Sequence, residues 1–70
     1  LRNCCIAAGN SFNTNLVPVL VELVLYDQSP FVRGAAIWAV KELAQEEIIL
    51  NTKNFSKKIE TNASVIREWN

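Results

Sequence analysis

Two arginines, Arg2 and Arg33, stand 31 residues apart in matching surroundings, a recurrence that could serve phosphates or acidic side chains in neighbouring turns. The first lies in "LRNCCIAAGN" and the second in "VRGAAIWAVK". With the two stretches superposed, Leu1 meets Val32, Arg2 meets Arg33, Cys4-Cys5 meets Ala35-Ala36, Ile6 meets Ile37 and Ala8 meets Ala39. Arg33, Ile37 and Lys41 fall on one stripe of a helix, matched one copy earlier by Arg2, Ile6 and Asn10. Cations recurring at one helix spacing can follow a nucleic-acid backbone. Arg2, Asn3, Asn10, Arg33, Gly34 and Lys41 are therefore the candidate contacts. The plain alternative is that each arginine pairs with an acid in a neighbouring turn, such as Asp27. Lys53, Lys57 and Lys58 form a second cationic group with no acid between them. Their bland reading is a solvated capping segment.

Other chemistry finds little support. The chain contains no histidine, which removes His-dependent acid–base work and most zinc sites. Cys4 and Cys5 are adjacent, so on a helix they point about 100° apart and suit neither a disulfide nor a metal. Both are expected to be small buried residues in a reducing, cytoplasmic setting. Glu42, Glu46, Glu47 and Glu60 supply carboxylates, but none is tied to a nucleophile or a glycine-rich loop. No catalytic residue is expected in this chain. The formal net charge of zero argues against a uniformly basic nucleic-acid binder, though not against a local patch. No apolar run is long enough to cross a membrane.

Elements that could position these residues follow from periodicity. In "NLVPVLVELVLYD", Leu16, Leu20, Leu23 and Val24 share one helical face, with Asn15 as the expected N-cap and Pro18 in the first turn. The helix should stop near Tyr26 or Asp27. Ser29 and Pro30 then give the next start, and that helix should run to about Ala44. Its valines lend "LVPVLVELVLY" some strand character, but length, caps and repetition favour helix. On the second helix, Val32, Ala36, Ala39 and Leu43 should pack on the preceding helix. Phe31, Ala35 and Trp38 should meet a neighbouring repeat, with Gly34 easing the approach.

A unit of about 30 residues built from two antiparallel helices describes a short HEAT-like repeat, so the expected fold is an all-α solenoid fragment of antiparallel helix pairs. Residues 1–44 hold the second helix of one unit and one complete unit. Residues 45–70 form a C-terminal capping segment, in which Ile48, Ile49 and Leu50 anchor a short element. A short terminal helix should follow, its Val65, Ile66 and Trp69 covering the open end. The abrupt apolar start reads as a helix already under way, hence as a piece of a longer protein. An isolated piece could self-associate through its uncovered end.

"LRNCCIAAGN", then "SPFVRGAAIWAV", then "VIREW" together resemble the C-terminal HEAT-like region of bacterial epoxyqueuosine reductase. Corresponding family segments read Arg-Asn followed by Ala-Leu-Gly-Asn, and Ser-Pro-x-Val-Arg-Gly with Ala-x-Trp-Ala. The match is good from Leu1 to Leu43 and loose in the tail. Here Cys4-Cys5 replaces aliphatics and Ala8-Gly9 replaces Leu-Gly, both changes small in size. The resemblance implies an accessory region of a cytoplasmic tRNA-modifying enzyme that reduces epoxyqueuosine to queuosine. That enzyme uses cobalamin and two [4Fe–4S] clusters, none of them held by this chain. The implied partners are the parent's catalytic domain and the tRNA anticodon arm. A HEAT-repeat scaffold for protein–protein contacts is the competing expectation, supported by the neutral charge and by Ile6 and Ile37 on the presumed open strip.

Overall fold

A computed structural model describes all residues, Leu1–Asn70, as five α-helices and no strand: α1 Arg2–Asn10, α2 Val17–Tyr26, α3 Pro30–Leu43, α4 Glu46–Ile59 and α5 Ala63–Arg67. Each boundary has a local cause. Pro30 disfavours helical backbone at the residue before it, so Ser29 is extended, and its Oγ accepts from the Val32 amide at 3.4 Å. The Asp27 carboxylate accepts from the Ser29 amide at 2.9 Å and fixes the turn between α2 and α3. Pro18 sits in the first turn of α2, where its missing N–H leaves no bond unmade. The start of α2 differs from expectation in one detail. Asn13, not Asn15, is the capping side chain, accepting from the Asn15 amide at 3.0 Å. A single 3₁₀ turn, Thr14–Leu16, then leads into the helix at Val17.

Helices α1, α3 and α5 form one layer and α2 and α4 the other, with α3 at the centre against α1, α2 and α5. Val32, Ala36 and Ala39 are buried as the periodicity requires, with Leu20 and Val24 from α2 and Cys5 from α1. Small residues on α3 let its neighbours come close, and the methyls of Ala36 and Ala39 are wholly removed from water. Burial on α3 extends further round than the sequence pattern suggests, to Val40 and Ile37. Ile37 has no exposed surface at all, so it is not part of an open strip. The reason lies in the tail, which folds back as a helical hairpin and covers that side of α3. Leu43 is only half-buried, and Phe31 is 77% exposed rather than packed away against a neighbouring repeat.

The tail is more regular than a short anchored element. Residues 46–59 make a full helix with Glu46 and Glu47 in the first turn and Lys57 and Lys58 in the last, the order that complements a helix dipole. Its inner face carries Ile49, Thr52 and Ser56, whereas Leu50 is more than half exposed and Ile48 is 39% exposed. Val65 and Trp69 complete the core, and the Trp69 indole Nε1 donates to Ser56 Oγ at 3.1 Å. Asn62 caps α5, its Oδ1 accepting from the amides of Ser64 and Val65. Cys5 is buried, but Cys4 is exposed on the outer side of α1. No helix is long and apolar enough to cross a membrane.

Candidate functional site

The layer formed by α1, α3 and α5 carries an open groove of about 550 Å³. From α1 come Arg2 and Ile6; from α3 come Phe31, Gly34, Ala35 and Trp38; from α5 come Ser64, Val65 and Glu68 beside it. Three successive helices of one layer therefore contribute to one surface. Apolar walls dominate, with a cation from α1 and a carboxylate following α5.

Trp38 holds this groove in shape through a glycine on the neighbouring helix. A Cβ on Gly9 would overlap the indole at Cζ3 and lie 3.0 Å from Cε3 and 3.1 Å from Cη2. Gly9 thus lets α1 and α3 approach with the ring lying across the helix backbone. Gly34 is different. Its φ is not positive, and a Cβ there would meet only Glu68 Cγ, at 3.6 Å, an ordinary contact. Packing between helices accounts for Gly9 and leaves Gly34 unaccounted for.

Arg33 points to the end of the layer and is fully engaged there. Its Nε and Nη2 donate to the two carboxylate oxygens of Glu60 at 2.8 and 2.9 Å. Nη1 donates to the backbone carbonyls of Asp27 and Gln28 at 2.9 and 3.1 Å. The side chains of Arg33 and Glu60 are 16% and 3% exposed. Burial alone pushes the Glu60 carboxyl up. The hydrogen bonds from Arg33 and from the backbone of the following turn, with the guanidinium charge, outweigh burial and hold it below its ordinary value. The same hydrogen bond to Glu60 raises Arg33 further. Arg33 is a clasp between two successive interhelical turns, with Glu60 rather than the Asp27 carboxylate as its acid.

The other candidates scatter. Arg2 is exposed in the groove and makes no hydrogen bond or ion pair within the chain. Gly34 shares the groove with it. Asn3 and Asn10 are exposed on α1 outside the groove. Lys41 Nζ donates to the backbone carbonyl of Glu68 at 2.9 Å, tying α3 to the end of α5. The structure thus joins two of the six candidates, Arg2 and Gly34, to Trp38, Phe31 and Glu68; the sequence pattern set Gly34 with Phe31 and Trp38 but placed neither Arg2 nor Glu68 beside them. Lys53, Lys57 and Lys58 lie along the last turns of α4, in the other layer, with no acidic partner. No group of three or more acidic or cysteine side chains converges to hold a metal ion. Burial pushes the Cys5 thiol up, so it is a poor thiolate donor as well as a lone buried one.

Residues 16–46 match the family model for the HEAT repeat. The matched stretch runs from the turn before α2 to the first residue of α4, so its two complete helices are α2 and α3. The fold is an all-α helical-repeat fragment, with a HEAT-like unit at its centre. Neither the curated proteins nor the solved structures contain a match.

Proposed function

We propose that this chain is the non-catalytic, accessory helical-repeat end of an epoxyqueuosine reductase, packing on the catalytic domain and helping to hold the tRNA anticodon arm. One observation carries the reading. Residues of the resemblance from two different repeats form one constellation, with Gly9 beneath the Trp38 ring, and Arg2 and Gly34 beside that ring in the groove. Cobalamin and iron–sulfur clusters belong, on this reading, to the parent's catalytic domain. The residues here do not fit them, since the two cysteines are adjacent and diverge, one exposed and one buried.

The test is binding of a labelled tRNA anticodon arm at several salt concentrations. Arg2→Ala, which removes the unpaired cation of the groove, should weaken binding and lower the slope of log K against log salt by roughly 0.7 to 0.9. Arg33 is a poor probe because its replacement breaks the clasp. Binding that is absent or indifferent to salt sinks the proposal. A protein-binding scaffold is the second reading, favoured by the apolar walls of the groove and the zero net charge. It predicts no RNA affinity at low salt.

A further inference from the structure

We propose that the groove across α1, α3 and α5 is a seat for one unstacked nucleotide of single-stranded RNA, with its base against Trp38 and Phe31 and its phosphate on Arg2. The inference rests on the RNA-holding reading and narrows it to a subsite.

Three features of the groove lack a reason in the fold and share one in such a ligand. Gly34 has neither a left-handed φ nor a crowded neighbour, so alanine would fit and would strengthen the helix by about 1 kcal/mol. A missing side chain that the fold does not require leaves room for something else to reach the backbone. Phe31 exposes 77% of its surface in the same groove as the half-buried Trp38, so aromatic area is presented to the groove. Arg2 is the third feature, a guanidinium with no acceptor in the chain.

A nucleotide uses all three. Bases of single-stranded RNA are recognised by stacking on aromatic side chains and by hydrogen bonds to their edges, while the phosphate is met by a cation. The cavity volume lies within the roughly 300–1,000 Å³ typical of small-ligand sites. Glu68 adds a preference. Its backbone carbonyl is taken by Lys41, but its carboxylate has no partner, so it can accept from a base edge. Guanine presents adjacent N–H donors on its Watson–Crick edge; uracil offers one N–H between two acceptors. The seat should favour guanine.

The experiment uses the whole chain with two labelled pentaribonucleotides, UUGUU and UUUUU, and the tRNA anticodon arm. Binding is read by anisotropy and by quenching of Trp38, with buried Trp69 as the shielded fluorophore. The wild type should bind UUGUU better than UUUUU with quenching. Gly34→Ala should raise the melting temperature yet weaken UUGUU binding roughly tenfold, the scale of one lost base–aromatic stack. Arg2→Gln should weaken both oligonucleotides and flatten their salt dependence. If Gly34→Ala is more stable and binds as well as wild type, the groove is not the seat, whatever the anticodon arm does. Binding of the arm without either pentamer likewise overturns the subsite while leaving the RNA-holding reading intact. If the arm is not bound either, both fall and the groove is left to a protein segment. Equal binding of UUGUU and UUUUU removes Glu68's part and with it the base-edge claim.

Discussion

Replacing Gly9 with alanine should destabilise the protein, although alanine is the better helix former. Alanine gains about 1 kcal/mol over glycine inside a helix. Against this stands the Trp38 ring, three of whose atoms crowd the new methyl group. A bicyclic ring cannot yield at one atom, so it must move as a body out of its seat on α1. Overpacking of this kind costs roughly 1–3 kcal/mol, and the severity of the overlap places Gly9→Ala in the upper half of that range. The net loss is then about 1–2 kcal/mol after subtracting the helix gain. For a chain of this size that lowers the melting temperature by roughly 5–15 °C, read by far-ultraviolet circular dichroism. Trp38→Leu provides the control. With the ring gone, Gly9→Ala should become stabilising, giving a coupling of about 2 kcal/mol across the double-mutant cycle. A melting temperature unchanged or raised by Gly9→Ala alone would refute the assignment of this glycine to the α1–α3 contact.

Three further outcomes are expected. Glu60→Gln should cost about 1–3 kcal/mol at neutral pH, because the guanidinium loses its charged partner in a shielded place. The Glu60 carboxyl is held below its ordinary value of 4.5, so its contribution is complete above that value and vanishes as pH falls through the depressed folded pKa. Urea titrations below pH 4.5 should therefore show the wild type losing stability more steeply than Glu60→Gln; parallel curves would refute the clasp. Phe12 has a left-handed φ of 58° and is 90% exposed, so it bears strain without packing in return. Phe12→Asn should stabilise by about 0.5–1 kcal/mol in thermal melts, since asparagine tolerates that region better. Ser56→Ala should cost about 1–2 kcal/mol by leaving the Trp69 indole N–H buried without an acceptor. A loss no larger than that of an exposed serine such as Ser64→Ala would mean that the bond contributes nothing.

The first 44 residues were legible because their chemistry is strong and local. Pro18, Ser29 and Pro30 mark helix starts by covalent geometry, and the apolar spacing picks out the centres of the buried faces, Leu20 and Val24 on α2 and Val32, Ala36 and Ala39 on α3, though not their full width. Helix α4 was hidden for the opposite reason. Its inner face buries Thr52 and Ser56 beside a half-buried Ile49, while Ile48, Leu50, Phe55 and Ile59 stay exposed, so its apolar residues do not mark the face that packs. A signal was still present, acids at residues 46 and 47 and lysines at 57 and 58, which reads as a helix with a complemented dipole. Ser56 in turn makes sense only with Trp69, whose N–H it accepts, and no spacing rule links those two positions. The groove was half legible. Arg2 and Gly34 stood out, but which helices would sit side by side depended on the tail, whose return over α3 also buried Ile37.

The two arginines that occupy the same place in the repeat have come to do different work, and the turns explain why. Asp27 and Glu60 are equivalent, each accepting from the amide two residues on, Ser29 and Asn62, at 2.9 and 3.2 Å. Glu60 is one methylene longer than Asp27, and its two oxygens reach Arg33 while one still holds the turn. The shorter Asp27 holds its turn alone, and Arg33 takes its carbonyl instead. Arg2, one unit earlier, receives no such carboxylate from the Asp27 turn and makes no ion pair among these 70 residues. Repetition in sequence therefore fixes position, not role. A cation becomes structural where the next turn can return a carboxylate to it, and stays available for a ligand where it cannot. Asp27→Glu tests this. If length decides, the longer acid should capture Arg2, raise the melting temperature and weaken any binding that depends on Arg2. If Arg2 stays free, something other than reach sets the two arginines apart.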